Sequence, residues 1–210
     1  MENRLIFMGL YSKLVLPYLT DFAMRDKAAR ARRSQLVPGA DGIVLEIGIG
    51  SGLNLPFYSS AVRHLYAVDP SPELLAMTRK KVERVTFPVD LRCESAERLS
   101  LDGRSVDTIV MTWALCTIPN PAQALREMGR VLKPQGRMIF IEHGLSPDSG
   151  VRTWQNGLNP IWSKVAGGCN LNRKIDDLLI SSGFNIVELR TAYLPGPRPF
   201  SYTYEGCAAH

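Results

Sequence analysis

The sequence has 210 residues, of which 45% are hydrophobic and 21% are charged, and a formal net charge of +5. This length suits one domain with a sizeable core, and the composition excludes a disordered chain. Seven basic and three acidic residues within residues 1–40 account for +4 of the net charge. A nucleic-acid-binding enzyme more often spreads basic residues over a whole face, so this single basic arm argues against nucleic acid as a partner.

The first predicted element in chain order is an N-terminal helical extension over residues 1–40, with a break near Pro17. Apolar residues recur there at helical spacing. Lys13 and Pro17 interrupt the apolar run, and nothing resembling a signal-peptide cleavage site follows it. We therefore expect a lid over a binding site or, as the alternative, a peripheral membrane contact. The expected location of the protein is the cytoplasm, with membrane association as the alternative.

After residue 40 the pattern alternates between strands and helices. The predicted strands are 43–48, 64–69, 87–93, 106–113 and 137–143, and the predicted helices between them include 72–85 and 121–132. Two helical patches follow within 151–182, and two more strands are predicted at 184–194 and 199–209. The short junction between these last strands favours an antiparallel pair. The pattern predicts a doubly wound α/β fold with a mainly parallel seven-stranded sheet.

The strongest motif places three alternating glycines at 48–52, directly after the first strand, and Asp69 at the end of the second strand. Glycines let the backbone approach a ligand closely, and an acid at that position can accept hydrogen bonds from ribose hydroxyls. A dinucleotide site prefers a third glycine where Leu53 stands. Glu46 would repel a pyrophosphate but suits the α-ammonium group of S-adenosylmethionine. The motif therefore favours S-adenosylmethionine, with S-adenosylhomocysteine as product, over an NAD-dependent oxidoreductase or a non-catalytic cofactor-binding module.

These motifs resemble the class I methyltransferase superfamily of the type 11 kind from about residue 42 to 142. The resemblance rests on VLEIGIGSGLNL, YAVDPSPELL, ESAERL, VDTIVMTWALCTI and ALREMGRVLKPQGRMIFIEHG. A narrower branch, which includes the microsomal alkyl-thiol methyltransferases, is similar in GSGLNLPFY, WALCTIPNP and FIEHG, in Trp154 and Gln155, and in residues 168–171. The resemblance implies a single Rossmann-like domain with a cofactor-binding core at 41–145 and an acceptor-side region at 146–210.

The resemblance also implies the residues of the cofactor site, which lie at the ends of the first four strands. The methionine part would be held by Glu46, Gly48, Gly50, Gly52 and Asn54, the ribose and adenine by Asp69, Pro70, Ser95, Ala96 and Glu97, and the remaining wall would come from Thr112 and Trp113.

On the acceptor side, His143 follows the fifth strand and is a candidate general base, with a structural histidine as the alternative. Cys116, Trp154 and Gln155 are candidate residues of the acceptor pocket, although packing roles are the alternative. The four cysteines are far apart in sequence without a C-x-x-C pair, and Cys169 is expected to lack a second ligand nearby. We therefore predict no metal site.

The expected reaction is a direct in-line methyl transfer to a small-molecule acceptor. A thiol or related sulfur nucleophile is preferred, because a thiolate needs mainly desolvation and alignment. The alternatives are a phospholipid amine of the phosphatidylethanolamine type and another small N- or O-acceptor. The sequence leaves the oligomeric state open.

Overall fold

Seven segments of the chain form the strands of one sheet in the computed structural model, which describes residues 11 and 13–210. The rest of the predicted N-terminal extension, residues 1–10 and 12, lies outside the described residues. The strands are β1 (Gly42–Ile47), β2 (Val62–Val68), β3 (Val89–Arg92), β4 (Val106–Thr112), β5 (Leu132–His143), β6 (Asn185–Tyr193) and β7 (Tyr202–Ala209).

The strand order is β3-β2-β1-β4-β5-β7-β6. Strands β1 to β5 run parallel, whereas β7 is antiparallel to both β5 and β6. The predicted fold class, with its C-terminal antiparallel pair, is confirmed. The chain reverses its direction of travel across the sheet between β1 and β4. In open α/β sheets ligands bind at this switch point, beyond the carboxyl ends of the strands.

Helices cover both faces of the sheet, and two of them precede the first strand. They are α1 (Leu16–Ala23), α2 (Lys27–Leu36), α3 (Pro72–Val82), α4 (Pro121–Val131), α5 (Ser149–Val165), α6 (Ile175–Ser181) and α7 (Arg198–Ser201). No helix among the described residues is long and apolar enough to cross a membrane.

Local sequence explains where several helices begin. The hydroxyl of Ser71 accepts a hydrogen bond from the N–H of Leu74 at the start of α3, and Asn120 caps α4 in the same way. Each cap precedes a proline, which tolerates the first helical turn because its missing N–H would have no partner there. Pro17 lies likewise in the first turn of α1, which follows a turn at Val15, so the helical segment is interrupted near Pro17 as predicted.

Two strands begin three or more residues from their predicted starts, for structural reasons. β5 begins at Leu132, not at residue 137, because Leu132 already pairs with Val106 of β4. The register then shifts before Arg137, which pairs with Thr108. The intervening residues have turn composition and are accommodated as an irregularity in the strand. β7 begins at Tyr202 because the preceding residues form the short helix α7.

The core has two layers, one on each face of the sheet. Val44 and Leu45 are adjacent in β1 and both fully buried, but they belong to opposite layers. This alternation follows from the two-residue period of a strand. Burial of one large apolar side chain contributes about 1.5–3 kcal/mol to the free energy of unfolding. The two layers together therefore stabilise the sheet and fix the position of its carboxyl edge.

Candidate cofactor and acceptor site

A cavity of about 410 Å³ opens at the carboxyl ends of β1, β2 and β4, at the switch point of the sheet. Its wall is formed by residues 47–51, 53 and 54, 68–71 and 74, 95 and 96, 112–114 and 117–119, together with residues of α1, Arg33 and residues 166 and 167. The predicted cofactor residues therefore meet at one place, although not all of them reach the cavity.

The glycine loop after β1 needs glycine for two different reasons. Gly48 has a φ of +68°, and a Cβ there would lie 2.6 Å from the Cβ of Ala114 in the loop after β4. Gly50 has a φ of +58°, in the left-handed region that side-chain-bearing residues rarely adopt. The first glycine thus lets two loops approach closely, and the second turns the backbone along the cavity.

Asp69 follows β2 and lines the cavity, with only 6% of its surface exposed. Its carboxylate accepts hydrogen bonds from the N–H groups of Gly50 and Ser71 at 2.9 and 2.8 Å. Burial raises the pKa of Asp69, and the two N–H donors act against that rise. Each carboxylate oxygen has a second lone pair, so Asp69 can brace the glycine loop and still accept from a ribose hydroxyl.

Glu46 lies behind the cavity wall and is 1% exposed. It accepts hydrogen bonds from the Nδ2 of Asn54 at 2.9 Å and from the hydroxyl of Tyr58 at 2.8 Å. Burial raises its pKa to about 7, although these two donors and the charge of Arg33 lower it. Glu46 therefore acts on the cavity through Asn54 and through its charge. The motif alone did not identify Tyr58.

Asn54 reaches the cavity and carries an unsatisfied polar atom. Its Nδ2 is used by Glu46 and by the hydroxyl of Thr112, which is 3.0 Å away. Its Oδ1 is buried and has no hydrogen-bond partner among the described residues. Because buried acceptors are normally paired, this oxygen suits a donor supplied by a ligand, such as the α-ammonium of S-adenosylmethionine. The site thus fits the predicted cofactor on an observation independent of the glycine motif.

Arg33 of α2 places a positive charge in the cavity wall, a role that the sequence did not reveal. Its guanidinium donates to the backbone oxygen of Met24 at 2.7 Å and lies 4.9 Å from the ring centroid of Trp113. Burial lowers the pKa of Arg33, and Glu46 opposes that change. Arginine is suited to carboxylate recognition. No local pattern distinguishes Arg33 from the exposed Arg30 nearby.

The helix α1 forms part of the cavity wall and is joined to the glycine loop. Asp21 accepts a hydrogen bond from the hydroxyl of Ser51 at 2.5 Å and pairs with Arg25 at 2.7 Å. Burial would raise the pKa of Asp21, but these two partners lower it overall. Lys81 of α3 donates to the backbone oxygen of Ser51 at 2.5 Å. Polar contacts therefore hold α1 over the loop that carries the glycines.

The predicted adenine side is only partly at the cavity. Pro70, Ser95 and Ala96 line it. Glu97 lies behind them and accepts hydrogen bonds from the hydroxyl of Ser95 at 2.9 Å and from the N–H of Asn120 at 2.6 Å. Glu97 thus positions the loop that carries Ser95 and Ala96. Gly52 is likewise a predicted cofactor residue that does not line the cavity.

Glu142 organises the loop after β4. It is fully buried and accepts hydrogen bonds from the N–H groups of Ala114, Leu115 and Cys116 at 2.8, 2.9 and 3.2 Å. Burial raises its pKa to about 7 despite these donors. Trp113 precedes them with a φ of +53°, which turns the chain at the cavity. The sequence signal for Glu142 is a charged residue within the apolar strand β5, and Glu142 was not among the predicted site residues.

The expectation that Cys169 lacks a second potential ligand nearby is wrong. Cys116, His143 and Cys169 lie together, with their potential ligand atoms within 4.8 Å of one another and the two sulfur atoms 3.7 Å apart. Contact with Cys116 lowers the pKa of Cys169, with His143 acting in the same direction. The same contact, together with burial, raises the pKa of Cys116. Cys169 was expected to lack a nearby ligand because 53 residues separate it from Cys116, and the fold removes that separation.

Two further predicted pocket residues do not reach the cavity. Trp154 is 66% exposed on the outer side of α5. Gln155 is buried, and its amide accepts from the N–H of Ser146 at 2.9 Å and donates to the backbone oxygen of Gly144 at 3.0 Å. Gln155 therefore fixes α5 to the segment after β5. His143 also lies outside the cavity wall, beside Trp113, with ring centroids 6.2 Å apart.

The methyltransferase domain family matches residues 45–140, which carry the glycine loop, Asp69, Ser95 and the segment after β4. The protein is an S-adenosylmethionine-dependent methyltransferase. The cofactor and the enzyme class that the sequence predicted are thereby confirmed.

This methyltransferase is similar to thiol S-methyltransferases over much of its length. It is 30% identical to thiol S-methyltransferase TMT1B of Rattus norvegicus over 163 residues, covering 76% of this chain and 65% of that protein. It is 29% identical to thiol S-methyltransferase TMT1A of Homo sapiens over 219 residues, covering 94% and 89%. It is 34% identical to phosphatidylethanolamine N-methyltransferase of Cereibacter sphaeroides over 128 residues, covering 60% and 63%. The matches to the rat and bacterial proteins thus span just under two thirds of those proteins.

Solved structures show the same fold. An S-adenosylmethionine-dependent methyltransferase of Thermotoga maritima has a TM-score of 0.66 at 20% identity, covering 96% of this chain and 98% of that one. The N-methyltransferase NodS of Bradyrhizobium japonicum, solved with S-adenosylhomocysteine, has a TM-score of 0.67 at 17% identity, covering 90% of each chain.

Proposed function

We propose that this methyltransferase transfers a methyl group to a thiol or a related sulfur nucleophile by direct in-line displacement. The observation that carries the proposal is the similarity to thiol S-methyltransferases, which in the human protein extends over 94% of this chain. The cavity is consistent with it. Part of the cavity wall comes from α1 and from the segment after β4. This part is apolar apart from Thr20, Asp21 and Thr117.

In this proposal three side chains at the cofactor end of the cavity have separate tasks. When bound, S-adenosylmethionine supplies a methyl group activated by a positively charged sulfur. Asp69 would accept hydrogen bonds from the ribose hydroxyls, the Oδ1 of Asn54 would accept from the α-ammonium, and Arg33 would pair with the α-carboxylate. The assignments to Asp69 and Asn54 rest on an available lone pair, and the assignment to Arg33 rests on its buried Nε, which has no hydrogen-bond partner among the described residues.

The acceptor end works by desolvation and alignment. A thiolate is already a strong nucleophile, so an apolar wall that removes its water and holds it in line is sufficient. The acceptor loses its proton to water before it enters the site as the thiolate, so the proposal requires no protein base. The assignment of His143 as a general base stays a prediction, and its position beside Cys169 and behind the wall favours a different role.

The test is a matched acceptor assay that measures S-adenosylhomocysteine formation and identifies the methylated product by mass spectrometry. The acceptors are an alkyl thiol, the alcohol with the same carbon chain, and phosphatidylethanolamine in mixed micelles. Methylation of the thiol alone, lost in Asp69→Ala and absent without enzyme, is the expected result. Transfer to the lipid amine without transfer to the thiol would contradict the proposal.

A second candidate acceptor is the amine of a phosphatidylethanolamine-type phospholipid. The similarity to the bacterial phosphatidylethanolamine N-methyltransferase favours it. An exposed apolar surface supports access to lipid, because Tyr18, Leu19 and Phe22 of α1 are 64%, 51% and 79% exposed. Arg25 and Lys27 lie directly beyond this surface in the chain. We propose that this surface of α1 contacts an anionic bilayer, with the basic residues against the headgroups.

Sedimentation with vesicles tests the membrane contact. We expect the wild type to bind vesicles that contain an anionic phospholipid more strongly than neutral vesicles. Phe22→Ser should reduce that binding severalfold. Val187→Ser is the matched control, because Val187 is 70% exposed on β6. Equal loss in both variants, or no binding by the wild type, would reject the contact.

A further inference from the structure

Three residues that the methyl-transfer site does not use form a cluster with metal-ligand chemistry. Cys116 follows β4, His143 is the last residue of β5, and Cys169 follows α5. Their sulfur and ring nitrogen atoms lie within 4.8 Å of one another. We propose that this cluster binds one Zn²⁺ ion. The proposal is independent of the identity of the methyl acceptor.

The donor set and its spacing both match zinc. Thiolate and imidazole are ligands that zinc prefers, whereas Mg²⁺ and Ca²⁺ select oxygen ligands. Two sulfur atoms at about 2.3 Å from a tetrahedral zinc ion are about 3.8 Å apart. The sulfur atoms of Cys116 and Cys169 are 3.7 Å apart. A disulfide would require about 2.05 Å, so the two side chains stand at a separation suited to a shared ion.

The cluster is held by a network of backbone contacts. The N–H of Cys116 donates to Glu142 at 3.2 Å, and the backbone oxygen of Cys116 accepts from the N–H and side-chain amide of Asn170 at 2.8 and 3.2 Å. Gly168 has a φ of +90°, and a Cβ there would lie 3.1 Å from the backbone oxygen of Thr117. The segment that carries Cys169 is therefore packed directly on the segment that carries Cys116.

The position of the cluster gives the ion a role beside the cavity. Thr117 follows Cys116 and lines the cavity, and so does Gly167, two residues before Cys169. An ion bound by both cysteines would fix these two parts of the wall relative to each other. With His143 as the third ligand, one coordination position stays open to water or another small ligand, as in zinc sites with three protein ligands. His143 is then a ligand and cannot serve at the same time as a general base.

Metal content of the full chain is the first test. The protein is expressed without a polyhistidine tag in zinc-supplemented medium, purified under a thiol reductant and analysed by inductively coupled plasma mass spectrometry. We expect close to one zinc ion per chain in the wild type and close to none in Cys169→Ser and His143→Ala. Cys93→Ser and Cys207→Ser are matched controls outside the cluster and should keep the ion.

Cobalt substitution gives a second readout that a merely structural cysteine would not produce. Co²⁺ added to the metal-free wild type should give a sulfur-to-cobalt charge-transfer band and the intense visible absorption of a tetrahedral site, and neither should appear in Cys169→Ser. Binding of S-adenosylhomocysteine checks that each variant is folded. A folded wild type with four free thiols, no zinc and no cobalt spectrum would overturn the proposal. So would full zinc retention in Cys169→Ser, or a disulfide between Cys116 and Cys169 in the reduced preparation.

Discussion

At the scale of single residues, three buried carboxylates hold the loops around the cavity. Glu46 is bound by Asn54 and Tyr58, Asp69 by two backbone N–H groups and Glu142 by three. Burying a charge is costly unless hydrogen bonds replace the lost water. Here every carboxylate has at least two donors, so the cost of burial is offset by contacts that also fix the loop geometry.

We expect Glu46 to make cofactor binding depend on pH. Burial raises its pKa to about 7, so the protonated acid is significantly populated in the free enzyme near neutral pH. A bound α-ammonium group favours the carboxylate and lowers that pKa, so binding releases a proton. Affinity for S-adenosylhomocysteine should therefore rise as the pH increases from about 6 to 8. Calorimetry in two buffers of different ionisation enthalpy measures the released proton. Glu46→Gln should bind S-adenosylhomocysteine without releasing a proton. An unchanged proton release in that variant would contradict the assignment.

Asp69 should be essential for cofactor affinity but not for folding. Asp69→Ala removes a charged acceptor from the ribose and also the brace on Gly50, and hydrogen bonds to charged groups contribute about 1.5–3 kcal/mol each. We expect the affinity for S-adenosylhomocysteine to fall by at least about tenfold, with an unchanged circular dichroism spectrum. Asp102→Ala is the control, because Asp102 is an exposed acid remote from the cavity wall. Wild-type affinity in a folded Asp69→Ala protein would remove Asp69 from the site.

At the scale of elements, the contact between α1 and the glycine loop depends mainly on Asp21. Asp21→Ala removes the hydrogen bond to Ser51 and the pair with Arg25, so α1 should separate more readily from the loop. We expect faster tryptic cleavage after Arg25 than in the wild type and a weaker protective effect of S-adenosylhomocysteine. Glu83→Ala, which alters an exposed acid at the end of α3, should be cleaved like the wild type. Equal cleavage of Asp21→Ala and wild type would show that other contacts hold α1.

The order of the elements could be predicted because each strand and helix carries its own local signal. Alternating apolar runs and capped helices gave the βαβ pattern, and the short link between β6 and β7 indicated their antiparallel pairing. The true start of β5 could not be predicted, since residues 133–136 have the composition of a turn. Their place in the strand is set by the pairing of the flanking residues Leu132 and Arg137 with β4, which is a tertiary contact.

The contrast between local signals and tertiary contacts also explains which site residues could be predicted from the sequence. Asp69 and the glycines lie directly at strand ends, where a local motif is sufficient. Arg33, Tyr58 and Cys169 reach their partners only because helices and loops distant in sequence fold onto the sheet edge. Nothing in the spacing of those residues encodes that approach. The cofactor side was therefore largely predictable, and the acceptor side was not.

At the scale of the whole molecule, one sheet spans residues 42–209 and both core layers pack on it. A chain organised in this way should unfold in a single cooperative transition, as the predicted single domain requires. A ligand that binds only the folded state then stabilises the whole unit. At a free concentration of about 100 times the Kd this stabilisation is about 2.7 kcal/mol, irrespective of which loops the ligand contacts.

Thermal denaturation therefore tests the cofactor assignment and the domain organisation together. S-adenosylhomocysteine at that saturation should raise the Tm by about 5–10 °C for a domain of this size and keep one transition. Asp69→Ala at the same ligand concentration should show a much smaller shift. NADH should give none, because Leu53 and Glu46 disfavour a pyrophosphate at the glycine loop. Two separate transitions would show that α1 and α2 are not part of the cooperative unit. A shift with NADH equal to that with S-adenosylhomocysteine would mean that the cavity does not discriminate by the ammonium and ribose contacts assigned to Asn54 and Asp69.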